Sequence, residues 1–198
     1  MTPPRLSDEL GDWLQREDRT PGDLVDAFGS RGFAVLFAVL LALPALPLPT
    51  GGATHVLELI CVLVALQTIA GRREVWLPRR WREHKLTGKG QQRLAEATLK
   101  LIRWLEGLSR PRLTFLLHGR ASEIVFGLLA IAGSAAAFLA PPFTGLDTLP
   151  ALGVVILSLG VLLGDALVAV AGALIELVGI ALIIVLGGVA FTAIGGLF

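Results

Sequence analysis

Polar and apolar positions follow a helical period at the start of the chain, and the polar ones nearly vanish towards its end. Leu6, Leu10, Trp13 and Leu14 fall on one helical face. Leu24, Val25 and Phe28 make a second, shorter face behind Thr20-Pro21-Gly22-Asp23, a stretch suited to starting a helix. Residues 1–32 are therefore predicted as two small amphipathic helices. From Phe33 to Leu43 eleven residues are apolar and uncharged, before Pro44, Pro47 and Pro49 stop or open the helix. The apolar pattern resumes from Ala53 to Ala70, interrupted by His55, Glu58 and Gln67. Residues 72–120 are polar, and Leu94, Thr98, Leu101, Ile102, Leu105 and Leu108 predict one amphipathic helix within them. Three nearly continuous apolar runs follow: Ile124–Ala140, Thr148–Gly164 and Ala166–Gly187, with eleven further apolar residues to Phe198.

Composition turns these runs into membrane segments. The residues AVILMFWYC make up 54% of the 198, charged residues only 17%, and mean hydropathy is +0.74. That excludes intrinsic disorder, and it exceeds what a soluble domain of this size can bury. Alternation every second residue is absent, which excludes a β-barrel. The expected fold is an all-α integral membrane protein of five to six hydrophobic helical segments. Eleven helical residues rise about 16 Å, half of a ~30 Å hydrocarbon core. Residues 33–71 are thus either a hairpin of two spans with a proline kink, or a re-entrant half-helix followed by a span.

Charge sets the expected topology. All 17 Lys and Arg lie at or before Arg120, and residues 72–120 hold 13 of them against 4 acids. Trp76, Trp81 and Trp104 sit among these cations, as the lipid–water interface selects. Residues 72–120 and the acidic N-terminus, which has no secretory signal, are expected in the cytoplasm. The C-terminus is then outside unless residues 188–198 fold back. This topology explains the basic stretch without nucleic acid, so the expected partner is the lipid bilayer. A homodimer would add interior in which to bury Glu58 and Glu176. The domain organisation is an N-terminal pair of helices (1–32), a first membrane repeat (33–71), a basic loop (72–120), a second repeat (121–165) and a C-terminal helix (166–198).

The repeat appears when Thr50 is set against Thr144. Pro47 then matches Pro141, Thr50-Gly51 matches Thr144-Gly145, and Thr54 matches Thr148. In both copies an apolar helix runs into prolines, then Thr-Gly, then a second apolar helix, with helix starts expected at Ala53 and Leu146. Broken segments at matching positions mark transporter-like sites, although Pro and Gly also make simple turns at the bilayer surface. His55 and Glu58, three apart, share a helix face and could hold a proton or a cation. Glu176 lies deep in an apolar run, where a charge is costly and functional by default. The candidate pathway is His55, Glu58 and Glu176 with Pro47, Thr50, Gly51, Pro141, Thr144 and Gly145. Asp147 and Asp165 are expected as turn or cap residues, and Gly160 and Gly164 as a close helix contact. No P-loop, HExxH or CxxC is present, and Cys61 is the single cysteine. No catalytic residue, metal site or cofactor is predicted.

Gly29-Ser30-Arg31-Gly32-Phe33 leading to Leu43-Pro44-Ala45-Leu46-Pro47-Leu48-Pro49-Thr50-Gly51 resembles the first block of the ExoD family of bacterial exopolysaccharide-synthesis proteins. Ala65-Leu66-Gln67, Gly71-Arg72, Trp76-Leu77-Pro78 and the Pro142–Asp165 region continue the likeness, over roughly residues 6–190. The resemblance implies a small inner-membrane protein linked to exopolysaccharide production, with the polysaccharide-synthesis machinery as its associate. It brings no catalytic residues. His55 and Glu58 depart from the family pattern, where small, uncharged or apolar residues are expected. A small proton- or cation-coupled transporter is the competing reading.

Overall fold

The computed structural model describes residues 32–46, 53–72, 113–117, 119–140 and 144–195, with positions 8, 11, 12, 20, 75, 76, 78, 99, 100, 103 and 107. Among these residues the chain is all-helical, without strands. The helices are α1 (Gly32–Leu41), α2 (Ala53–Ile69), α3 (Arg120–Leu139), α4 (Thr148–Leu163) and α5 (Ala166–Gly195), with a 3-10 turn at Thr114–Leu117 before α3. The amphipathic helices expected within 1–32 and 94–108 lie mostly outside the described residues. Asp8, Gly11, Asp12, Leu99, Lys100, Arg103 and Gly107 are helical.

Helix ends follow from local chemistry. α1 stops short of Pro44, and the amides of Ala45 and Leu46 close turns onto the carbonyls of Leu41 and Leu43. α2 ends at Gly71 with φ +78°, where the Arg72 amide reaches the Gln67 carbonyl and the Gly71 amide reaches Thr68. α4 ends the same way at Gly164 with φ +67°, and the Asp165 amide bonds the Gly160 carbonyl at 2.9 Å. Asp165 then starts α5, its Oδ1 accepting the Leu167 N–H at 3.0 Å.

Among the described residues two helices are long and apolar enough to cross a membrane, α3 and the Ala166–Gly187 part of α5; α1, α2 and α4 are shorter apolar helices. α5 continues unbroken to Gly195, so the fold-back considered for residues 188–198 does not begin at Gly187. α1 and α4 are the most enclosed. α4 packs on α5, α1 and α3, while α2 packs on α3 and α1. Phe37 of α1 meets Phe126 of α3 edge to face, centroids 5.4 Å apart. Large apolar side chains cover the outside: Val56, Leu59, Leu63 and Leu66 on α2, Val125 and Leu128 on α3, Leu167, Val170 and Leu174 on α5.

α4 and α5 form an antiparallel hairpin closed by glycines seven residues apart on each helix. A Cβ on Gly153 would come 2.5 Å from Glu176 Cα, and one on Gly160 2.6 Å from Ala169 Cα. From the other side, a Cβ on Gly172 would come 2.7 Å from Leu157 Cα, and one on Gly179 2.6 Å from Pro150. The close contact expected of Gly160 and Gly164 is therefore half right. Gly160 is in the seam, but Gly164 has left it to turn the chain, because the left-handed conformation there needs a glycine.

Candidate functional site

Among the described residues three carboxyls are buried: Glu58 on α2 and Glu176 on α5, both fully, and Asp165, which caps α5. The i,i+3 spacing brings His55 onto Glu58, with His55 Nδ1 2.8 Å from Glu58 Oε2. His55 is partly exposed at the start of α2, and its ring lies 5.1 Å from that of Phe138 on α3. Glu58 Oε1 has no hydrogen-bond partner. Asp147, half-buried in the turn before α4, lies close enough to act on the charge of Glu58. Its side chain does not cap α4, unlike that of Asp165 on α5.

Thr144 and Gly145 lie in that same turn. Gly145 has φ +70°, and the Thr148 amide bonds the Gly145 carbonyl, so α4 begins at Thr148 rather than at Leu146. The Leu146 N–H is occupied by Thr144 Oγ1 at 3.4 Å. Pro47, Thr50, Gly51 and Pro141 lie outside the described residues.

Glu176 sits where α3, α4 and α5 meet. A Cβ on Gly133 of α3 would come 3.0 Å from the carboxyl carbon and Oε1, so the absence of one makes the space for the carboxyl. Gly153 does the same for the Glu176 backbone. Neither Glu176 oxygen closes a well-aligned hydrogen bond, although the Gly133 backbone approaches the carboxyl. Next to Gly133, buried Ser134 faces the Cys61 thiol across the α2–α3 contact, without closing a well-aligned hydrogen bond to it. Cys61 is one turn beyond Glu58 on α2, and Ser134 meets it there. Of the other buried hydroxyls, those of Thr68 and Ser158 are satisfied by the carbonyls of Val64 and Val154, and that of Thr54 lies beside Glu58. Among the described residues, no three His, Cys, Asp or Glu are grouped to hold a metal ion.

Sequence reasoning did not single out Gly133 and Ser134. Their signal is a Gly-Ser pair in the middle of an apolar run. It also passed over three anchors. The Arg120 guanidinium donates to the Thr68 carbonyl at 3.2 Å and to that of Ile69, and pairs with Glu123 at 3.1 Å. It thereby fastens the end of α2 to the start of α3, in space that Gly71 leaves open. Gln67 grips the backbone of Trp76 twice, its Nε2 donating to the carbonyl at 3.0 Å and its Oε1 accepting the amide at 2.7 Å. Thr114 donates to the Gly164 carbonyl at 3.3 Å. Together, the Arg120 and Thr114 contacts bring the end of α2, the start of α3 and the α4–α5 turn to one end of the bundle.

The family model described as "Exopolysaccharide synthesis, ExoD" matches residues 6–185. The chain belongs to the ExoD family. It is 30% identical to Protein ExoD of Rhizobium meliloti over 177 residues, covering 88% of this chain and 73% of that protein. It is also 30% identical to an uncharacterized protein of Synechocystis sp. over 187 residues, 92% of this chain and 87% of the other. No solved structure matches it. Membership implies involvement in exopolysaccharide synthesis.

Proposed function

We propose that this ExoD-family chain is a multi-pass protein of the bacterial inner membrane that supports exopolysaccharide synthesis or export without itself catalysing sugar transfer. The observation that carries the membrane part is an inside-out distribution of polarity. Leu, Val and Phe side chains face outward on α2, α3 and α5, while Glu58, Ser134 and Glu176 are sealed inside. Lipid accepts such an exterior, and a bundle interior is where intramembrane carboxyls belong. The basic stretch 72–120 and the N-terminus are cytoplasmic in this reading, with lipid as the principal partner and the polysaccharide-synthesis machinery as associate.

Two features support a broken-helix architecture. α1 has ten residues, about 15 Å of rise, half of the hydrocarbon thickness. It is enclosed by protein, where a re-entrant segment is tolerated. The packing order also suits a two-fold repeat of α1–α2 and α3–α4, since the exchange carries the α1–α4 contact onto the α3–α2 contact. A homodimer through the apolar exterior is compatible with this arrangement.

Proton- or cation-coupled transport is the second reading, favoured by the two enclosed carboxyls. Deleting the gene, measuring secreted polymer, and restoring it with a tagged copy that fractionates with the inner membrane tests the first reading. Restoration by a chain found only in the soluble fraction overturns the membrane reading. Turnover of a lipid-linked sugar by the purified protein overturns the non-enzymatic one.

A further inference from the structure

We propose that the turn at Leu113–Leu117 and Trp76 together form a platform that seats on an anionic phospholipid surface at the end of the bundle fastened by Arg120. The inference rests on the membrane reading and deepens it by naming the lipid and the residues that meet it.

The turn is built to hold apolar side chains away from the protein. Leu113 enters it at φ +53°, a left-handed conformation that a bulky side chain seldom takes and that carries a steric cost. The Leu116 amide closes onto the Leu113 carbonyl at 2.8 Å and fixes that conformation. In a 3-10 turn, residues three apart share a side. Thr114 and Leu117 face inward, the first bonded to the Gly164 carbonyl and the second packed on the core. Leu113, Phe115 and Leu116 are left outside, with Phe115 70% exposed. Trp76 repeats the arrangement at the end of α2. Its neighbour Val75 is buried, whereas Trp76 is 60% exposed, and Gln67 holds its backbone at both the amide and the carbonyl.

Two observations name what covers these groups. The platform continues the apolar exterior, since Leu66 near the end of α2 and Leu167 at the start of α5 are exposed at this same end. Cations accompany it as well. Arg72 is exposed just past α2, and Lys100 and Arg103 are exposed on the helical stretch whose Leu99 packs on the core. Arg110 and Arg112 lead into the turn in the sequence. Aromatic and aliphatic groups among cations suit a layer with negative headgroups above and acyl chains below. A second copy docked symmetrically through this patch would instead set cations against cations.

The test places a nitroxide on the full-length protein at Leu116→Cys, in a Cys61→Ala background. A label at Val178→Cys, on the exposed face of α5, is the control. The vesicles are phosphatidylcholine alone, or phosphatidylcholine and phosphatidylglycerol in equal parts. Collisions with oxygen, which enters acyl chains, and with a water-soluble nickel chelate report depth. In the mixed vesicles nickel should relax the 116 label several-fold less than in phosphatidylcholine alone, while oxygen relaxes it more. A label fully open to nickel in both overturns the proposal. So does a label shielded from oxygen and nickel alike, which marks a protein over the turn. Equal depth in the two lipids overturns the anionic partner. Phosphatidylglycerol should also raise the thermal midpoint of the wild type in neutral detergent, and raise it less in Phe115→Ser and Arg72→Gln. An unmoved wild-type midpoint counts against the proposal in the same way. A Val178 label that sits in water would defeat the underlying membrane reading instead.

Discussion

Gly160 of α4 and Ala169 of α5 meet backbone to backbone: a single added Cβ on Gly160 would stand 2.6 Å from Ala169 Cα. The Gly160→Ala variant must therefore push the hairpin apart. Overpacking of this kind costs about 1–3 kcal/mol, partly offset by the better helix propensity of Ala. Gly187→Ala is the control, since nothing lies within 4 Å of its Cβ position. Thermal unfolding in mild detergent should show a lower midpoint for Gly160→Ala and none for Gly187→Ala. Equal midpoints would mean that the seam is not a tight contact.

Arg120 fastens α2 to α3 by two bonds to carbonyls at the α2 C-terminus, and pairs with Glu123 of its own helix. Charge-assisted bonds to a helix end are worth more than exposed ion pairs. Arg120→Ala should therefore cost about 1–2 kcal/mol. Glu123→Gln, which removes only the exposed pair, should cost under about 0.5 kcal/mol. Denaturation of the two variants by a graded detergent challenge measures the difference.

Glu58→Leu and Glu58→Gln separate cost from use. Leu removes an unpaired buried oxygen, and should raise stability by about 1–3 kcal/mol. Gln keeps the shape and loses the charge. Secreted polymer should fall in both variants in a complemented deletion strain. If Leu stabilises the protein and polymer is unchanged, Glu58 is a tolerated polar residue and not part of a site.

Gln67→Leu should free Trp76 from the end of α2 while leaving α2 itself intact. The two bonds lost, at 3.0 and 2.7 Å, are each worth about 1 kcal/mol. Protease cutting within residues 72–120 and a change in tryptophan emission report the release. Unchanged cutting would show that the clamp holds nothing else in place.

Reporter fusions at Lys89 and at the C-terminus test the topology. Cytoplasmic activity is expected at Lys89 and periplasmic activity at the C-terminus, because α5 runs without a break from the turn at Asp165 to Gly195. Periplasmic activity at Lys89 sinks the scheme.

Much of the helical layout was legible from apolar runs and their punctuation. Pro44 and Gly164 mark ends that the helices respect, and α2 occupies the run from Ala53 as expected. The contact of His55 with Glu58 follows from spacing alone. Contacts between helices were another matter. Periodicity cannot show that Gly133 makes room for Glu176 forty-three residues later, because a run apolar on every side carries no facing information. Leu146 was misread as a helix start because the turn geometry of Thr144-Gly145 is set by φ at Gly145, which the sequence permits without requiring.

The cations stop at Arg120, and that has a consequence for biogenesis. The rule that orients newly made helices in a membrane acts through nearby Lys and Arg, of which the α4–α5 hairpin has none. Its orientation must come from helices already inserted. The tie from Thr114 to the Gly164 carbonyl, set immediately before α3, gives the emerging turn a docking point at the end of the bundle that Arg120 fastens. The ribosome thus delivers the oriented part of the bundle first, and the part that borrows its orientation last.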